Sequence, residues 1–433
     1  MIKILCILIA LIKSKLTKEE EKYIKIPFKT QQSEITKNNL IPKLLENEIY
    51  IEIEVGSKLQ KIPIYIKFDS YIFFLSGSEL SNPYFNEKLS ETFKINETKS
   101  FKFPYQYFSE GYISNDTIKI NDKEIKEFNF ILGNKLNKNY KIYSGQIGLR
   151  LNKNGAERDN NLSNNCFIKT LMKLNEISTS DFTFNYFNNT NGEFIIGSKP
   201  DVYDSNYKND KFISFKGYNK SYDLNWKIIF DNFYFGNYSE KKIETVIEIE
   251  FGLMLCPDYI FDNFIKYLFS NFTKNNTCQI QSYQAYKYII CNKDFDVNSI
   301  GNLFFEIKSL NTNFTFNSKS LFYNVDDIKL FVFITRITNN YWKFGKPFFQ
   351  TFNLTFNYNN KTIGFYQKEN KNKNKGSILS TVFIIILFII IFFVIGFLIY
   401  YFFFNKKDNI DNQVEELYST IGNTNIVFEK EKK

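Results

Sequence analysis

Histidine is absent from all 433 residues. Without an imidazole the chain cannot build a Ser-His or Cys-His nucleophile pair or a His-ligated metal centre. Cysteine is sparse, at five residues, and no ordered pair has zinc-site spacing, so neither a metal nor a cofactor is expected. Glycine numbers only 18 and proline 8, and no phosphate-binding glycine loop occurs. Blocks of one charge are missing as well. The net charge of +9 comes from Lys scattered over the length. No basic run is joined to stacking aromatics, so the charge reads as solubility and nucleic acid is not an expected partner.

Aromatic residues are abundant, at 18% with 49 Phe, and some of them sit in one apolar run. From Gly376 to Phe404 no charge occurs over 29 positions, and Lys406-Lys407 follow directly. That exceeds the roughly 20 residues a helix needs to cross a bilayer, and the basic flank marks the cytoplasmic side. Met1-Ile2-Lys3 followed by apolar Ile4 to Ile12 reads as a signal peptide. The sequence therefore predicts a single-pass type I membrane protein of the secretory pathway, at the cell surface or in an endo-lysosomal compartment. Its expected parts are a signal (1–14), a pro-segment or N-terminal edge strand (15–45), an ectodomain (46–367), a stalk (368–376), a transmembrane helix (377–404) and a cytoplasmic tail (405–433). In the tail, Tyr418-Ser419-Thr420-Ile421 has the form read by a sorting adaptor.

Export permits oxidation of thiols. Cys278 and Cys291 close a short loop between strand-like segments and are expected to pair, while Cys166 and Cys256 either pair or stay as buried thiols. Sequons stand at Asn96, Asn115, Asn161, Asn188, Asn219, Asn237, Asn271, Asn275, Asn313, Asn353 and Asn360, all between the two apolar ends, as in a glycoprotein.

Period-two alternation over Ile49–Val55, a Gly56-Ser57 turn and a return over Ile62–Phe68 predict a half-buried hairpin. Tyr23-Ile24-Lys25-Ile26-Pro27-Phe28 reads as an earlier short strand. Helical spacing appears at Phe167 to Leu174 and at Tyr259 to Phe272, the latter after Pro257. The ectodomain is therefore expected to be mainly β, with one modest helix in each half.

Several segments resemble the pepsin-like aspartic proteases in order along the chain. Tyr50, Ile53, Val55, Gly56 and Gln60 fit the first-lobe strand, and Phe68-Asp69 with Leu75 fits the catalytic loop, with Ser70-Tyr71-Ile72-Phe73 where that family has Thr-Gly-Ser-Ser. Gly111 to Ile118 resembles the flap strand, which would put Tyr105 or Tyr107 at the flap tyrosine. Gly145-Gln146-Ile147-Gly148-Leu149, Asp181 to Phe184, Gly192 to Gly197 and Trp226-Lys227-Ile228 continue the match. Tyr341 to Phe349, Thr355-Phe356-Asn357 and Ile363-Gly364-Phe365 resemble the closing strands. The resemblance implies an all-β, bilobal fold with a few short helices, its lobes at 46–205 and 206–367, followed by the transmembrane helix.

Proteases of this family hold a water between two carboxylates that share one proton. Asp69 takes the first position. For the second, counting back from Pro257 gives Glu248, and sliding by two residues places Glu250-Phe251-Gly252 on the Asp-x-Gly pattern. Tyr71 replaces a glycine and is expected to push the loops apart. The resemblance therefore implies a cleft that binds an extended peptide or protein, with a degenerate catalytic pair. The alternative is an endopeptidase using Asp69 with Glu248 or Glu250.

Overall fold

The computed structural model describes residues 21–30, 35–78, 84–96, 101–102, 108–136, 143–151, 166–208, 212–217, 225–366, 390–391 and 393–399. The described residues up to Tyr366 build two β-sheets. The first has 14 strands among the described residues and the second has 11. The second draws only on residues between Lys227 and Phe344, whereas the first combines the N-terminal strands with Phe212–Lys216, Leu354–Asn357 and Thr362–Tyr366. The end of the domain therefore returns to the sheet built by its beginning.

The hairpin expected from alternation is present as Ile49–Val55 against Gln60–Lys67. Gly56 turns it at φ 78°, a conformation that costs glycine little. Strand Ile24–Thr30 lies inside the sheet, between Ile49–Val55 and Asn191–Ile196, and not at an edge. Its inward residues Ile24, Ile26 and Phe28 are all buried, so both neighbours gain an apolar partner.

Both expected helices form, at Phe167–Lys173 and from Asp258 to Lys274, the latter with a wider π turn at Ile265–Phe269. Three further α-helices among the described residues stand where the sequence reading has none, the shortest being Pro200–Tyr203. Leu40–Leu45 lies in a stretch that reads as polar, yet it buries Leu40, Ile41 and Leu44 against Phe251, Leu253 and Leu255. Tyr341 to Phe349 is only partly strand: after Trp342–Phe344 the chain turns helical over Lys346–Thr351. Pro347 lies in its first turn, where a missing N–H costs nothing.

Aromatic packing joins the two halves. Phe68, next to Asp69, touches the rings of Phe182, Phe184, Phe349 and Phe356. Fully buried Trp226 donates its indole N–H to the Leu149 carbonyl at 2.8 Å. The loop bearing Asp69 is thus anchored by a side chain whose truncation to Ala costs about 3–5 kcal/mol in a core.

Cys278 and Cys291 are disulfide-bonded across an antiparallel pair, and Cys166 and Cys256 are buried free thiols. The bridge spans 13 residues. Its replacement by Ala at both positions is expected to lower stability by about 3 kcal/mol, read as a lowered urea midpoint, because the unfolded chain regains loop entropy.

Of the sequons, Asn96, Asn188, Asn237, Asn271, Asn275, Asn313 and Asn360 are exposed, whereas Asn115 and Asn353 are half-buried. Asn161 and Asn219 lie outside the described residues, as do the signal segment, the stalk, the tail with Tyr418, and Tyr105 and Tyr107. Most of 377–404 lies outside them too. The described residues 390–391 and 393–399 are helical with exposed apolar side chains such as Phe393 and Phe397. Among the described residues no helix is long and apolar enough to cross a membrane.

Candidate active site

Each sheet holds a loop clasped in the same way. In the first, strand Gly145–Gly148 runs parallel to Gln60–Lys67 and antiparallel to Phe73–Ser76. In the second, Trp342–Phe344 runs parallel to Tyr238–Ile247 and antiparallel to Met254–Leu255. Backbone bonds hold both loops. Gly148 N–H donates to Ile72 O and Arg150 N–H to Ser70 O, both at 2.8 Å, and Lys346 N–H donates to Phe251 O at 2.7 Å. Gly148 and Gly345 must be glycine, since a Cβ would fall 2.5 Å from the Ser70 carbonyl or 1.9 Å from that of Phe251.

The registers fix which residues correspond. Ile66 and Phe73 both face Ile147, while Ile247 and Met254 both face Phe344. With Ile147 and Phe344 as equivalent positions, the loops have equal length and Asp69 corresponds to Glu250. Ser70 then corresponds to Phe251 and Tyr71 to Gly252, so each loop keeps part of an acid-hydroxyl-glycine pattern. Glu248 corresponds instead to Lys67, two residues earlier.

The environments of the two acids differ. Asp69 is exposed. Glu250 reaches across to the other loop, where its Oε1 accepts the Phe68 N–H at 3.0 Å. Its Oε2 is shut from solvent with no hydrogen-bond partner. Burial first, and then the charges of Asp69 and Glu248, push the Glu250 pKa up to about 8, with Lys67 pulling the other way. A protonated Glu250 therefore lies near Asp69 at neutral pH. Glu248 points elsewhere, into an ion pair with Lys343 at 2.6 Å. Burial works against the Lys343 charge, but Glu248 outweighs it and raises the pKa.

The crossed hydrogen bond also bears on Tyr71. The half-buried phenol stands in place of a glycine, and the loops nonetheless stay joined. The extra methylene of Glu250 gives the carboxyl the reach to span them. Buried Ser70 keeps a hydroxyl, and Phe251 offers none on the opposite side.

Three neighbours on the acid-bearing faces escape a motif-based reading: Lys67, Gln146 and Lys343. Lys67 and Gln146 are buried, and Lys343 is only 22% exposed in its side chain. The available signal is a polar residue inside an apolar strand, as in Ile64-Tyr65-Ile66-Lys67-Phe68 and Gly145-Gln146-Ile147. A cavity of about 790 Å³ lined by Asp181, Lys199, Asp201 and Thr355 touches neither loop.

No curated protein matches the chain. A family model of the eukaryotic aspartyl proteases matches residues 50–368, a span that begins in the first hairpin and contains both clasped loops. The match covers most of the chain and agrees with its two sheets, and the chain belongs to the eukaryotic aspartyl protease family.

Proposed function

We propose that this aspartyl protease domain binds an extended peptide or protein between its two loops without cleaving it at an appreciable rate, as the ectodomain of a type I membrane glycoprotein. The observation that carries the reading is the position of the Glu250 carboxyl: one oxygen is spent on the Phe68 N–H and the other is sealed from water. Hydrolysis needs both carboxyl groups turned to one water, one as base and one to polarise the carbonyl. Here Glu250 works as a clasp between the loops. A displacement of about 1 Å already costs about 10²-fold in rate. Backbone pairing and side-chain pockets, which bind extended peptides, do not depend on the acid pair. The membrane anchor rests on the apolar run 376–404, and the glycans on the sequons.

A second reading is an endopeptidase that uses Asp69 with Glu250. It is favoured by the equivalence of the two positions and by a proton held on Glu250 next to an exposed Asp69. The test is a diverse peptide pool incubated with the full-length protein in detergent from about pH 3 to 8, spanning the range of shared-proton pairs. No new termini are expected. Cleavage that is lost in both Asp69→Ala and Glu250→Ala would establish the second reading instead.

A further inference from the structure

We infer that the Lys67–Gln146 pair forms a recognition subsite for a carboxylate side chain, Asp or Glu, of the extended peptide bound next to Asp69. The inference rests on the peptide-binding reading and narrows its ligand.

Strand geometry puts these groups together. Lys67 lies two residues before Asp69 and two after Tyr65, and alternation sets Lys67 on the face that Tyr65 occupies. Gln146 pairs directly with Tyr65 across the parallel strands, so its side chain shares that face. The Tyr65 ring lies 4.6 Å from the Tyr143 ring, and the Lys67 ammonium stands 4.8 Å from the Tyr143 centroid. Tyr143 in turn donates its hydroxyl to Glu48 Oε1 at 2.9 Å.

Two features of this cluster point to a missing partner. Among the described residues Lys67 forms no ion pair, although it is only 8% exposed. Gln146 is fully buried, and neither its Oε1 nor its Nε2 has a hydrogen-bond partner. A buried amide with both ends unsatisfied is costly, and such groups normally find partners.

The equivalent place in the second sheet shows what completes such a pair. Lys343 stands where Gln146 does and Glu248 where Lys67 does, and they satisfy each other at 2.6 Å. The second side closes its own charge. The first presents an ammonium and an amide N–H, two donors that match the two oxygens of one carboxylate.

The test is a fluorescence-polarisation screen of full-length protein in detergent against labelled decapeptide pools with one position fixed at a time. Pools fixed as Asp or Glu at one position are expected to bind roughly 10- to 100-fold tighter than pools fixed as Leu, the range for a charge-assisted hydrogen bond. Lys67→Met is expected to abolish that preference, and Lys67→Glu to turn it toward Lys or Arg. Gln146→Leu should weaken the preference, and near-UV circular dichroism establishes that each variant is folded. Tight binding with no acidic preference, or a preference unchanged in folded Lys67→Met, overturns the subsite and leaves peptide binding standing. Absence of binding by every pool overturns both.

Discussion

Glu250→Gln is expected to leave stability nearly unchanged at about pH 4 and to raise it by on the order of 4 kcal/mol at about pH 9. The folded-state pKa of Glu250 lies near 8 against an ordinary 4.5, raised by burial and then by Asp69 and Glu248. The folded protein therefore holds this proton between about pH 4.5 and 8, where the unfolded chain has released it. Over that window folding takes up a proton, so the wild-type contribution falls as pH rises, and it is lost once pH passes the folded pKa. Gln is close in shape, stays neutral at every pH, and retains an oxygen to accept the Phe68 N–H. The gap between variant and wild type should thus open across the window and then level off. Urea unfolding of both proteins at half-unit pH steps measures it. A gap of constant size would show that Glu250 does not carry the proton assigned to it.

The same residue shows what sequence reading can reach. Family motifs point to both loops, because strands such as Ile49–Val55 alternate cleanly and Gly148 and Gly345 mark close backbone approaches. Motif spacing left Glu248 and Glu250 as alternatives, since Pro257 counts back to the first and the Asp-x-Gly pattern selects the second. Only the pairing of Ile247 and Met254 with Phe344 gives the loop length, and with it the equivalence of Glu250 to Asp69. Helix Leu40–Leu45 was hidden for a different reason: its four apolar residues meet a partner surface, around Phe251 and Leu253, that is distant in sequence. The unmet bonding capacity of Gln146 is likewise a property of its surroundings and leaves no trace in a motif.

Lys346 carries the second large effect. Its position corresponds to Leu149 in the first sheet, a fully buried apolar residue, and Lys346 is equally buried. The ammonium nitrogen donates to the Asn189 carbonyl at 2.5 Å, and burial lowers the pKa from 10.5 to about 7. This shift runs opposite to that of Glu250. The unfolded chain holds the lysine proton up to about pH 10.5, whereas the folded chain has given it up above about pH 7. Wild-type stability from this group is therefore greatest at high pH and is lost as pH falls through that interval, after which it is level. Lys346→Met keeps the unbranched volume and removes the charge, at the expense of the bond to Asn189. The variant is expected to be more stable than wild type by about 3 kcal/mol at about pH 5, a few pKa units of relief less one hydrogen bond. The advantage should shrink steadily above about pH 7 and vanish or reverse near pH 10.5, where the neutral amine is no burden and its hydrogen bond still counts. Thermal unfolding followed by circular dichroism across this range tests it. An advantage that does not depend on pH would mean the lysine is neutral throughout, or charged with a partner that compensates it.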